Sequence, residues 1–170
     1  MSGSVLIIDA DPLFAAQAQA SFEGAGLVVA VRDDASLDTI RKLRPSVLLV
    51  SAELPKGSGF SVCNRLRRDK ELQLIPILLT SSAADGGEAF RRHATTPERA
   101  DDYAPKPVEQ AELLARVKRL LALADERNVP SGALEAGMAE VSVAGASLPP
   151  PPAASSAGGP PPLGGGARPP

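Results

Sequence analysis

Four short aliphatic runs, "SVLIID" at 4–9, "LVVAV" at 27–31, "SVLLVS" at 46–51 and "PILLTS" at 76–81, recur along the first half of the chain. Their spacing is too wide for hairpins. Runs without polar alternation suit strands covered on both faces, which is the condition of a parallel sheet. Each run is followed by a helical pattern. Asp11 and Pro12 read as N-cap and first helical residue of a helix that ends near Gly24 and Gly26. A second helix spans Ser36 to Leu43 and stops before Pro45, whose ring disfavours an α conformation at Arg44. A third, about Phe60 to Asp69, carries Val62, Cys63 and Leu66 on one face. The fourth, near Asp85 to His93, is weakened by Gly86 and Gly87 at its start. The last repeats Leu113, Leu114, Val117, Leu120 and Leu121 at intervals of three and four, and a short fifth strand fits around Tyr103.

Five strand-helix units with right-handed crossovers predict an α/β domain, an open five-stranded parallel sheet with helices on both sides. Ligands of such sheets sit at the carboxyl ends of the strands, where strand order reverses. That rule selects Asp9, Ala10, Asp11, Ser51 and Glu53, with Ser81 and Lys106 closing the ring.

With 170 residues, 44% of them hydrophobic, the chain has material for one core of ordinary size. The core domain is expected over 1–124. The stretch 125–148, interrupted by Pro130, Gly132, Gly137 and Gly145, reads as linker, and the proline- and glycine-rich 149–170 as a disordered tail. "SLPPPP" at 147–152, where linker meets tail, suits an extended polyproline ligand, although a tether is the simpler role. A net charge of −2 and 3% aromatic residues provide neither the field nor the stacking platforms that nucleic acid demands. The single cysteine, Cys63, is expected in the core, and no apolar run approaches a membrane span, so no membrane insertion and a cytoplasmic location are expected.

The series "VLIIDADP", "RPSVLLVSAELPKGSGFSVCNRLRRD", "IPILLTSS" and "ADDYAPKPV" resembles, in motif and order, the receiver domain of two-component response regulators over about residues 4–124. The resemblance implies a flavodoxin-like fold with strand order 2-1-3-4-5. It also implies two acids after the first strand that help bind magnesium, an aspartate ending the third strand that accepts a phosphoryl group, a hydroxyl ending the fourth, and a lysine before a cis proline. Carried over residue by residue, Asp9 keeps the first acid, the second falls on Ala10 and the phosphoacceptor on Ser51. Ser81 takes the hydroxyl position, Tyr103 the aromatic switch position, and Lys106 and Pro107 the lysine-proline pair. The segment "AFRRHATTPERADDYAPKPV", with the lost phosphoacceptor, is similar to the pseudo-receivers of Frizzy-pathway motility proteins of gliding bacteria.

Magnesium is a hard ion bound through carboxylates and phosphate oxygens, and Asp9 alone makes a poor site for it. Ser51 lacks a base, and an unactivated hydroxyl is a weak nucleophile, so neither phosphoryl transfer nor a serine enzyme is expected there. No cofactor or metal is expected. Asp9 and Lys106 should pair, in a cluster with Ser51, because buried charges need partners. His93, flanked by arginines in "FRRHATT", is expected to be solvated. These readings converge on a phosphorylation-independent receiver-like module, not an enzyme, that binds another signalling or motility protein through the fourth helix, the fifth strand with Tyr103 and the fifth helix. The alternative is a phosphorylatable single-domain response regulator that uses Glu53 or Asp9.

Overall fold

The computed structural model describes residues 3–130; the linker beyond residue 130 and the tail at 149–170 lie outside the described residues. The elements are β1 (Ser4–Ile8), α1 (Pro12–Gly24), β2 (Val28–Arg32), α2 (Leu37–Leu43), β3 (Val47–Ser51), α3 (Gly59–Arg68), β4 (Ile77–Ser81), α4 (Gly86–His93), β5 (Asp102–Pro105) and α5 (Gln110–Glu126). All five strands are parallel in the order β2-β1-β3-β4-β5, so the order reverses between β1 and β3, as expected.

The continuous apolar runs are explained by the two cores they feed. Side chains alternate across a strand. In β1, Val5 and Ile7 face a core with Phe22, Leu49, Leu78, Leu113 and Val117, closed by α1 and α5. Leu6 and Ile8 face the opposite core, with Leu48 and Leu79 from β3 and β4 and Ile40, Val62, Leu66 and Phe90 from α2, α3 and α4. A strand with one polar face would leave one of these layers unfilled.

Local chemistry sets the helix ends. Asp11 accepts hydrogen bonds from the amides of Leu13 and Phe14, Ser36 from Thr39 and Ser58 from Phe60, so three helices open on side-chain caps. At the end of α2, Arg44 adopts φ 46° and ψ 58°. The helix stops there because the following proline ring excludes the right-handed conformation, and the chain leaves through the left-handed one.

The end of the sheet where β4 and β5 begin is braced by Asp101. Its carboxylate accepts from the Arg67 guanidinium of α3, from Arg127 Nη2 at 2.6 Å and from the Ile77 amide at 2.9 Å. One acid thereby joins α3, β4 and the residues that follow α5. Beyond α5, Val129 is partly buried against the second core. No helix among the described residues is long and apolar enough to cross a membrane.

Candidate functional site

Asp9 follows β1 and Lys106 follows β5, so both lie at the carboxyl ends of the parallel strands. Lys106 Nζ donates to Asp9 Oδ2 at 2.7 Å, with only 10% and 3% of the two side chains exposed. The ammonium also lies 4.1 Å from the centre of the Phe14 ring, a cation–π contact that helps hold it out of water. Asp9 Oδ1 accepts from the Asp11 amide at 2.9 Å. Both carboxylate oxygens are therefore engaged. Ala10 and Asp11 are exposed, and Asp11 spends its side chain on the α1 cap.

Ser51 is buried, yet it does not join this cluster as the sequence led us to expect. Its hydroxyl donates to the Glu53 carbonyl at 3.1 Å and accepts from the Glu53 amide at 3.3 Å. The turn after β3 is the reason. Gly59 donates its amide to the Ala52 carbonyl and approaches so closely that a Cβ there would lie 2.2 Å from the Ser51 carbonyl oxygen. The loop folds back over Ser51 and offers its own backbone groups to the hydroxyl.

Glu53 reaches across to the β4–α4 junction. Its Oε1 accepts from Ser81 Oγ at 3.1 Å, from the Ser82 amide at 2.7 Å and from Ser82 Oγ at 3.0 Å. Partial burial pushes this carboxyl up, but the hydrogen bonds from Ser82 and Ser81 outweigh it and leave the group below its ordinary range. Ser81 Oγ accepts in turn from the Ala83 amide at 3.1 Å. The Lys106–Pro107 peptide bond is cis.

The largest departure from expectation is His93, which is buried rather than solvated, with 7% of its surface exposed. Its Nδ1 lies 2.8 Å from the Tyr103 hydroxyl and its Nε2 2.9 Å from Asn64 Oδ1. An amide oxygen only accepts, so Nε2 carries the proton and Nδ1 receives the tyrosine's. The Tyr103 hydroxyl also accepts from the Ala100 amide at 3.0 Å, which turns its ring toward Phe90, 5.0 Å between centres. Burial, aided by the Arg67 charge, lowers the His93 pKa, and Glu98 only partly opposes this. The available signal was the three-residue spacing of Phe90 and His93, which sets both on the inner face of α4; the neighbouring arginines masked it. Of those arginines, Arg92 pairs with Glu88 one turn away, while the other acids nearby take partners from elsewhere. Glu98 pairs with Arg68, Asp101 with Arg67 and Arg127, and Asp102 with Arg116.

Burial pushes the Cys63 thiol up to about 12, so it is a core group and not a nucleophile. For a divalent cation the crevice offers Asp9 already bonded through both oxygens, an alanine at position 10, Ser51 closed on its own loop and Glu53 turned to Ser81 and Ser82. That donor set does not fit magnesium, which takes several oxygen ligands in a strict octahedral array.

Residues 5–118 match the response regulator receiver domain family. The chain is 35% identical over 127 residues to the DNA-binding dual master transcriptional regulator RpaA of Synechocystis sp., a match that covers 71% of this chain and 50% of that protein. It is also 35% identical over 118 residues to adventurous-gliding motility protein Z of Myxococcus xanthus, covering 68% of this chain and 8% of that one. The matches therefore span half the length or less of these two curated relatives. Among solved structures, a response regulator from Chloroflexus aurantiacus superposes with a TM-score of 0.64 at 31% identity, covering 72% of this chain and 99% of that one.

Proposed function

The chain belongs to the response regulator receiver family, and from that premise we propose that it is a receiver-like protein-interaction module of two-component-type signalling that works without phosphorylation. The observation that carries this reading is the state of Asp9. It is the one carboxylate kept at the positions where the family binds metal and phosphate, and both of its oxygens are committed, one to Lys106 and one to the Asp11 amide. A phosphoryl group needs a carboxylate to accept it and a cation to offset its charge. Ser51 and Ala10 supply neither.

The module acts by its shape. Its partner surface is α4, β5 with Tyr103, and α5, where Arg116 bridges Asp102 and Glu112 and leaves a polar, ordered rim. The partner is another signalling protein. The similarity to a gliding motility protein supports placing that partner in a motility or polar-localisation system. The relative whose name records DNA binding matches over half its length, and the shared part is the receiver.

Incubation with acetyl phosphate and magnesium followed by intact-mass measurement tests this. The expected result is an unchanged mass. A stable gain of one phosphoryl group, abolished by Glu53→Gln or Asp9→Asn, would replace this reading with that of a phosphorylatable response regulator using a non-standard acid.

A further inference from the structure

Three donors from two consecutive residues converge on a single oxygen. Ser81 Oγ, the Ser82 amide and Ser82 Oγ all point at Glu53 Oε1, at 3.1, 2.7 and 3.0 Å. Hydrogen bonds to an ionised acceptor are about twice as strong as neutral ones, so this is the firmest tie between the β3–α3 loop and the β4–α4 junction.

The tie continues into α4. Asp85, at the N-cap of this helix, makes no side-chain capping bond, so the helix start is held by local backbone bonds, Gly86 to Ala83 and Ala89 to Asp85, and by Ser81. The Ser81 hydroxyl accepts from the Ala83 amide, and a Cβ on Gly86 would come 2.7 Å from it, which leaves room only for glycine as the first residue of α4. Further along the same helix, Phe90 and His93 hold the Tyr103 ring. At the other end, Glu53 is itself fixed, since its amide and carbonyl both bond the Ser51 hydroxyl and its backbone bridges to Ser58.

We infer that Glu53, an exposed carboxylate supplied by the chain itself, is a permanent anion that pins the β4–α4 junction and thereby holds the α4–β5 surface in one fixed conformation, with no added group required. The inference rests on the reading that this pocket works without a phosphoryl group, and it names what takes over the positioning. Ser51 then has a role at position 51 that no acid would fill in the same way, because its hydroxyl donates to and accepts from the backbone of the residue that supplies the charge.

Amide hydrogen exchange on the full chain, wild type against Glu53→Ala, tests the inference. Exchange at Ser82, Ala83 and residues 86–89 is expected to rise at least about tenfold, while the amides of β1 and α1 keep their rates. Glu53→Gln, which keeps an oxygen acceptor without the charge, should fall between. Tyr103 is the only tyrosine in a chain without tryptophan, so its emission reports the α4–β5 surface directly and should change in Glu53→Ala. Unchanged exchange at 82–89 in Glu53→Ala, with β1 and α1 intact, would overturn the inference. If Glu53→Ala loses the whole fold, Ser82→Ala decides, because it removes one donor only. A rise confined to 82–89 then supports the pin, and no rise rejects it. Neither outcome alters the mass measurement, so the pin and the phosphate-independent reading fail separately.

Discussion

His93 Nδ1 and the Tyr103 hydroxyl stand 2.8 Å apart in the interior of the surface assigned to partner binding. The imidazole accepts here, so the contact depends on its neutral form. Replacing His93 with Phe keeps a ring among Phe60, Phe90 and Tyr103 but strips the bonds to Asn64 and Tyr103. Taking a partner from each of those part-buried groups should cost about 1–3 kcal/mol, read from urea unfolding, with a change in tyrosine emission.

The same contact gives a pH dependence. Burial holds the folded His93 below its ordinary value of 6.5, so the unfolded chain binds the proton first. Its contribution is whole above the unfolded pKa and is lost as pH falls from there through the folded value. Between about pH 7 and 5, the wild type should therefore lose more stability than His93→Phe. Parallel losses in the two proteins would reject the assignment.

Lys106→Met removes the ammonium from a pair in which Asp9 is 3% exposed. An uncompensated buried carboxylate should cost about 3–5 kcal/mol, and Asp9→Asn in the same chain should restore part of it. The denaturation midpoints of the single and double variants provide the check.

Asp101→Ala should cost about as much, because it leaves the Arg67 charge without its acid and frees the Ile77 amide at once. Arg127→Ala, at a guanidinium 29% exposed, should cost about 1 kcal/mol. Burial raises the Asp101 pKa, but Arg127, Arg67 and the Ile77 amide outweigh it and hold the folded value below the ordinary 3.8. Its contribution is present above that pH and lost as pH falls through the folded value, so the gap between wild type and Asp101→Ala should narrow in acid.

Two glycines make a paired test of packing. A Cβ at Gly59 would meet the Ser51 carbonyl oxygen at 2.2 Å and Ala52 Cα at 2.8 Å, so Gly59→Ala should destabilise by about 1–3 kcal/mol. Gly87 has nothing within 4 Å and lies in α4, so Gly87→Ala should stabilise by up to about 1 kcal/mol. Thermal melts of the two variants should move in opposite directions.

The sheet was legible because Val5 to Ile8 and its counterparts fill two cores at once, and only a strand buried on both faces needs such a run. The pairing of Asp9 with Lys106 was legible too, since both lie at the carboxyl ends of parallel strands and buried charges need partners. What escaped depended on loop geometry. Ser51 turns to its own loop because Gly59 folds the chain back over it, and no periodicity encodes that approach. Asp101 finds Arg67 and Arg127, respectively 34 and 26 positions away, rather than the arginines beside it. Long charged side chains choose partners in space, and the neighbouring letters conceal the choice.

The bracing of Arg127 to Asp101 fixes where the polypeptide departs. Arg127 also donates to the Leu74 carbonyl, so Pro130 is reached near the beginnings of β4 and β5, at the opposite pole from Asp9, Glu53 and Lys106. The residues after α5 are thereby clamped to the amino ends of the strands, and the crevice stands at the other end.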